Sequence, residues 1–216
     1  MNSKRPQRRS PAQPRAEATR RAIREASLRI LCDEGPERLT TNRIAERAGV
    51  SIGSLYHHYE DKHAIAADIC DELLLAELDK LDDYTRRTMS MVRVSLDDTL
   101  YFFIREIVER HRTLYRQLNG FYLDIHWRYD LERWMAEYRP ERMSTADWLP
   151  AVFERHRGEL AVRDPGLAAA MVVNAITGTI HATLDANPGL ILEDRFCAEL
   201  HGLVLAYLKS PTPARA

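Results

Sequence analysis

The 216-residue sequence holds three cysteines, Cys32, Cys70 and Cys197, with no CxxC pair and no zinc-ligand spacing among them. An odd number of scattered thiols supports neither a disulfide framework nor a structural zinc site, and it points to a reducing, cytoplasmic compartment. No apolar run reaches the ~20 residues a membrane span needs. The longest, residues 166–180, is interrupted by Asn174 and Thr177. A signal peptide is not expected, because the basic start is followed by polar, proline-rich sequence and not by an apolar segment. G-x-S-x-G, HExxH and phosphate-cradling glycine loops are absent, as are strand alternation and internal repeats. These absences argue against the common hydrolase, metalloprotease and nucleotide-binding classes, and predict an all-α chain with no cofactor.

Charge of one sign is also missing from one place. Residues 1–16 carry Lys4, Arg5, Arg8, Arg9, Arg15, three prolines and no acid. This stretch reads as a disordered basic arm, able to enter a minor groove or simply to stay solvated. Through Lys62 there are 13 basic and 8 acidic residues, a net of +5, whereas the remainder carries a net of −6. A nearly neutral chain with a basic first quarter suggests a polyanion partner for that quarter alone.

Hydroxyls, small residues and glycine then fall in a telling order in LTTNRIAERAGVSIGSLYHHYEDK, residues 39–62. Thr40 or Thr41 can cap a helix, because a side-chain oxygen there accepts from an orphan amide. Ile44, Ala45 and Ala48 share its inner face. Gly49 follows where the chain must turn, and glycine tolerates the left-handed conformation of such a stop. Ser51 can cap a second helix whose Leu55 points inward. A small Ala45, Gly49 four residues on and Leu55 six further let two helices cross closely and steeply. That spacing predicts a helix-turn-helix, whose second helix enters the major groove of DNA. Its exposed face would offer Ser51, Gly53, Ser54, Tyr56, His57 and His58, with Lys62 opening the next helix. Groups like these bond phosphates, and those that reach base edges read sequence.

From about residue 20 to 69 the chain resembles the DNA-binding domain of TetR-type transcriptional regulators. The resemblance runs through Ile44-Ala45, Ala48-Gly49-Val50-Ser51, Gly53, Leu55-Tyr56, His58-Tyr59 and Lys62, with Tyr59 standing where phenylalanine is usual. It covers about a quarter of the chain. It implies an all-helical homodimer that binds double-stranded DNA at a near-palindromic operator, usually as a repressor. By the same resemblance Thr41, Ser51, Gly53, Tyr56, His57, His58 and Lys62 match DNA-contacting positions. Asn42, Ile52 and Ser54 match positions whose contacts vary between members, and Thr40 opens the contact segment.

The domain boundaries follow from punctuation. The expected order is the arm (1–16), a helix-turn-helix domain (17–63), a helical ligand-binding and dimerisation domain (64–210) and a flexible tail (211–216). A first helix over residues 17–34 would bury Ile23, Ala26, Ser27, Ile30 and Leu31 and stop at Gly35-Pro36. Asp61 would cap a long helix reaching about residue 81, with Ile65, Ile69, Leu73 and Ala76 on one face. Ser95 would cap the next, to about 118, followed by helices over 121–138, 145–157, 165–186 and 192–208. The Asp164-Pro165 start is a capping residue followed by proline at the first helical position.

Aromatic residues cluster in the larger domain, and walls of that kind with a few polar groups build ligand cavities. Phe103, Tyr115, Tyr122, His126, Trp127 and Trp148 are the candidate lining, extended by Asn174 and Thr177, for a small apolar or aromatic effector. His126 and Asp130 share a helical face, and His111, Asp124 and His156 could join them, but no recognisable metal-ligand set results, so no metal is expected. The final two helices are the expected dimer interface: Gly178, His181, Phe196, Leu200, Gly202, Leu203 and Tyr207. Ala198, Gly202 and Ala206 form a smooth strip, and two copies of the helix pair would make a four-helix bundle. Two other readings use the same residues: a DNA-binding regulator or activator without an effector, and a helical metal-dependent enzyme.

Overall fold

A computed structural model describes residues 12–89, 95–127 and 145–210, and side chains within 14–76, 95–127 and 148–210. Among the described residues every regular element is helical. The α-helices are α1 (Ala12–Asp33), α2 (Thr41–Ala48), α3 (Ile52–His58), α4 (Lys62–Met89), α5 (Leu96–Leu118), α6 (Tyr122–Ile125), α7 (Thr145–Arg155), α8 (Pro165–Ala186) and α9 (Asp194–Lys209). Short 3-10 turns at Pro36–Arg38, Arg157–Glu159 and Pro188–Leu192 link them.

The first helix begins at Ala12, earlier than expected, so the last residues assigned to the basic arm are helical. Pro14 does not prevent this, because the amides of the first turn have no intrahelical partner to lose. Its inner stripe of Ile23, Ala26, Ser27, Ile30 and Leu31 is buried as expected, and the Ser27 hydroxyl is satisfied by donating to the Ile23 carbonyl at 2.9 Å. The helix packs on α2, α4 and α5. Asp61 does cap α4, accepting from the Ala64 amide at 2.8 Å. That helix runs to Met89, past the expected residue 81.

In the larger domain α5 packs against α4 and α9, and α8 against α7 and α9. Leu96, Leu100, Ile104 and Val108 of α5 are fully buried, as are Ile176, Ile180 and Leu184 of α8. Arg112 is buried but satisfied: it donates to the carbonyls of Ile191 at 2.5 Å and Glu193 at 2.7 Å, tying the α8–α9 connection to α5. Ser95 and Asp164 cap α5 and α8 as expected.

Three further boundaries differ from those the sequence predicts. The helix expected over 121–138 is described only as the single turn Tyr122–Ile125, followed by a turn at His126 and Trp127, and residues 128–144 lie outside the described residues. The helix expected to reach 157 ends at Arg155, where the chain tightens into a 3-10 turn. The last helix starts at Asp194 and not at 192, because Pro188–Leu192 takes a 3-10 turn. By length and composition α8 could cross a bilayer. Its Ala168, Ala169, Val172, Ile176 and Ile180 are instead buried in this fold.

Candidate nucleic-acid interface

Local chemistry builds the corner between α2 and α3. Thr40 accepts from the Arg43 amide through its side chain at 3.3 Å, and Ser51 from the Ser54 amide at 3.0 Å. Between them Gly49 has φ 67°, the left-handed region. This lets the Val50 amide donate back to the Ala45 carbonyl at 3.0 Å and close the end of α2. Ile44, Ala45 and Leu55 are buried, so the expected inner face is the one observed. Both capping oxygens are occupied as acceptors, which leaves their hydroxyl protons free to donate to a phosphate.

The outer face is open. Thr40, Asn42, Ser51, Gly53 and His57 are exposed, Ile52 is 39% exposed and Tyr56 54%. Thr41, Ser54, His58 and Lys62 are half-buried. The Tyr56 and Thr41 hydroxyls lie 3.1 Å apart, joining the start of α2 to the exposed side of α3. A Cβ added at Gly53 would meet nothing nearer than Ser51 Oγ at 4.0 Å, so the protein itself does not require glycine there. Lys62 Nζ sits 5.0 Å over the Phe121 ring, and His63 stacks on the same ring at 5.7 Å. The first turn of α4 is thereby tied to the start of α6.

Several residues that hold this surface carry no motif in the sequence. Asp68 of α4 receives Arg20 at 2.9 Å, Arg24 at 2.8 Å and the Tyr59 hydroxyl. Tyr59 ends the recognition helix, so this carboxylate anchors α3 to α1 and α4 together. Burial works to raise the Asp68 carboxyl, but the bonds from Tyr59 and Arg24 outweigh it and hold it below the ordinary carboxylate range. Burial and then the Asp68 bond push the Tyr59 phenol up to about 12. Asn119, left-handed at φ 43°, donates through Nδ2 to the Leu31 carbonyl at 2.7 Å and pins the α5–α6 corner to α1. Arg43 and Arg47 are held by Asp33, Glu34 and Glu46, so they add less free positive charge to this face than a residue count implies.

The candidate effector residues divide. Tyr122 and His126 are buried, and the Tyr122 hydroxyl lies 2.8 Å from His111 Nδ1. Phe103 and Trp148, half-buried, pair with each other at 5.3 Å, and Tyr115 is half-buried. Trp127 is 62% exposed, and Asn174 and Thr177 are exposed on α8. The expectation that Asn174 and Thr177 line an interior cavity is therefore corrected: the register of α8 turns Val172, Ile176 and Ile180 inward and these two outward. Among the described residues no three histidine, cysteine or acidic groups are arranged to hold a metal ion.

The candidate dimer residues divide as well. Gly178, Gly202, Leu203 and Tyr207 are exposed, and Phe196 is half-buried. Leu200 and His181 are buried within the protomer. Those two belong to the inner faces of α9 and α8, because Leu200 lines up with Cys197, Val204 and Leu208, and His181 with Ile180 and Leu184. Leu167 and Met171, 62% and 50% exposed, extend the outer face.

Comparisons with known proteins follow this division. Residues 23–69 match the family described as "Bacterial regulatory proteins, tetR family", and residues 131–208 match "Tetracyclin repressor-like, C-terminal domain". An HTH-type transcriptional regulator of Staphylococcus aureus (strain USA300) is 33% identical over 97 residues, which cover 41% of this chain and 50% of that protein. The chain thus spans about half the length of the curated relatives it matches. The FadR repressor of Thermus thermophilus, solved with lauroyl-CoA, shares the fold at a TM-score of 0.55 and 19% identity, over 91% of this chain and 99% of that one. NalD of Pseudomonas aeruginosa, described as the secondary repressor of an efflux pump, shares it at 0.52 and 19%, over 90% and 97%.

Proposed function

The chain belongs to the tetR family of bacterial regulatory proteins, and from that premise we propose that it is a ligand-responsive repressor that binds a near-palindromic operator as a homodimer in the bacterial cytoplasm. The observation that carries this reading is the capped α2–Gly49–α3 corner with an outward face of hydroxyls, imidazoles and a half-exposed tyrosine. Tyr56 and Lys62 anchor phosphates. Ile52, Ser54 and His57 read or shape-match bases, and Gly53 admits the backbone closely.

A palindrome needs two recognition helices about one DNA turn, ~34–36 Å, apart. The outer face of α8 and α9 supports self-association. A Cβ built at Gly178 or Gly202 meets nothing within 4 Å, so the space above both is open to a partner helix. Leu167, Met171, Leu203 and Tyr207 surround them with exposed apolar surface. An effector with an aromatic body binds in the larger domain and lowers operator affinity by preferring the DNA-incompetent arrangement. The Phe121 contact with Lys62 and His63 supplies a physical route between the domains.

The test is genome-wide recovery of bound DNA, followed by fluorescence anisotropy on the recovered site across a salt series. Lys62→Ala should weaken binding to all sequences and flatten the salt slope by about one unit. If Lys62→Ala and Tyr56→Phe both leave binding unchanged at moderate salt, the contact assignment is wrong.

A further inference from the structure

One attachment between the DNA-binding helices and the larger domain is α4, which buries Ile65 and Ile69 among the first and runs on to Met89. A long helix bends along its length, so by itself it does not fix an angle. A second attachment is the tight corner between α5 and α6, where three consecutive residues each meet a different piece of the DNA-binding domain. Asn119 Nδ2 donates to the Leu31 carbonyl, near the end of α1, at 2.7 Å. A Cβ added at Gly120 would stand 3.9 Å from Pro36 Cγ, in the turn before α2. The Phe121 ring lies against Lys62 and His63 at the start of α4. Asn119 at φ 43° and Gly120 at φ 81° are both left-handed, which asparagine and glycine tolerate and most residues do not. The Asn119 bond has a local cause. Helix ends leave carbonyls without amide partners. The Gly35 amide, which would continue the ladder to Leu31, turns back to the Ile30 carbonyl at 3.1 Å, and residue 36 is a proline with no N–H. Leu31 is fully buried, so water does not reach its carbonyl in this arrangement. A donor 88 residues away supplies the bond, and the carbonyl loses it if the corner moves. Asn119 itself is exposed, so neither core is built around its side chain.

We infer that Asn119 is a positioning residue that sets the angle of the DNA-binding helices on the larger domain, and so decides which spacing between operator half-sites the dimer accepts. The inference rests on the reading of the chain as a dimer on a two-half-site operator. Both recognition helices meet their half-sites only where these lie about one turn, ~34–36 Å, apart. Inserting or removing one base pair shifts a half-site by ~3.4 Å and turns it by roughly a tenth of a turn. A DNA-binding domain held by α4 and the corner together resists that change. One held by α4 with a loosened corner swings to follow it. The effect falls on spacing and not on the contacts to one half-site, because the Asn119 amide bonds Leu31 and none of the residues assigned to DNA.

Fluorescence anisotropy on the full chain tests this with four duplexes: the recovered operator, the same operator with one base pair inserted or removed between its half-sites, and one half-site alone. Asn119→Gly keeps the left-handed backbone and removes the amide. Asn119→Asp keeps the shape but turns a carboxylate oxygen, which donates nothing, toward the Leu31 carbonyl. Circular dichroism verifies that both variants remain folded. The wild type should lose about tenfold or more on either altered spacing, and both variants less than about threefold, with half-site affinity unchanged in all three proteins. Variants that keep the wild-type spacing profile overturn the inference and leave the functional reading intact. Variants that weaken the half-site as much as the operator also overturn it, because Asn119 then supports the recognition surface itself. Unfolding of both variants overturns it in favour of a role in stability alone. A wild type that binds one half-site as tightly as the operator removes the two-half-site reading, and the inference with it.

Discussion

Replacing Asp68 with asparagine should loosen the recognition helix from its support. The Asp68 side chain is 18% exposed and accepts from three donors on α1 and at the end of α3. Asparagine keeps one acceptor oxygen and turns an amide NH2, itself a donor, toward donors. Removing one partner of a buried ion pair costs about 3–5 kcal/mol. Here Arg24 keeps Glu17 at 2.9 Å and Glu72 at 2.7 Å, which offsets part of that. Arg20, 42% exposed, regains water. A loss of about 2 kcal/mol follows, and at about 2–4 °C per kcal/mol for a chain of this size it lowers Tm by about 4–8 °C. Thermal denaturation followed by circular dichroism measures it. The pH dependence provides a second handle. The folded Asp68 carboxyl titrates below its ordinary value of 3.8. Its contribution is therefore complete at pH 7 and is lost only as pH falls below about 4. The gap between wild type and Asp68→Asn should be constant from pH 5 to 8 and narrow in acid. A Tm change under about 1 °C at pH 7, or a gap that does not narrow in acid, would refute the anchoring role.

Gly49→Ala should cost about 1 kcal/mol through its φ of 67° alone, since the added Cβ meets nothing within 4 Å; urea denaturation reads this as a lower midpoint with an unchanged m-value. His111 and His181 fold with lowered affinity for protons, so the unfolded chain takes up protons first as pH falls below 6.5. Stability should therefore drop by up to about 1.4 kcal/mol per pH unit for each fully shifted histidine, and His111→Asn should flatten that slope in urea titrations between pH 6.5 and 4.5. Gly178→Arg combined with Gly202→Arg should yield folded monomers without operator affinity; a double variant that sediments as a dimer would place the interface elsewhere.

Elements set by near neighbours along the chain are legible in the sequence by itself. Thr40, Ser51, Asp61, Ser95 and Asp164 all cap the helices they precede, because a cap is decided within three residues. Gly49 turns where only a left-handed residue closes α2. The family resemblance is legible for the same reason, since its motif is one continuous segment. Helix ends governed by crowding, such as the start of α9 after Pro188–Leu192, fall a residue or two from where the sequence pattern puts them. Tertiary structure alone decides which apolar residues of a helix face the core. Leu200 and Leu203 look alike in sequence, yet Leu200 lies on the α9 side that packs inward and Leu203 is 56% exposed. It also decides the long-range partnerships. Asp68 meets Arg24 across 44 residues, and Asn119 reaches the Leu31 carbonyl across 88. His126 meets Asp185 only because α6 and α8 come together. No periodicity encodes such pairs, because each depends on where two separately formed helices come to rest against a third.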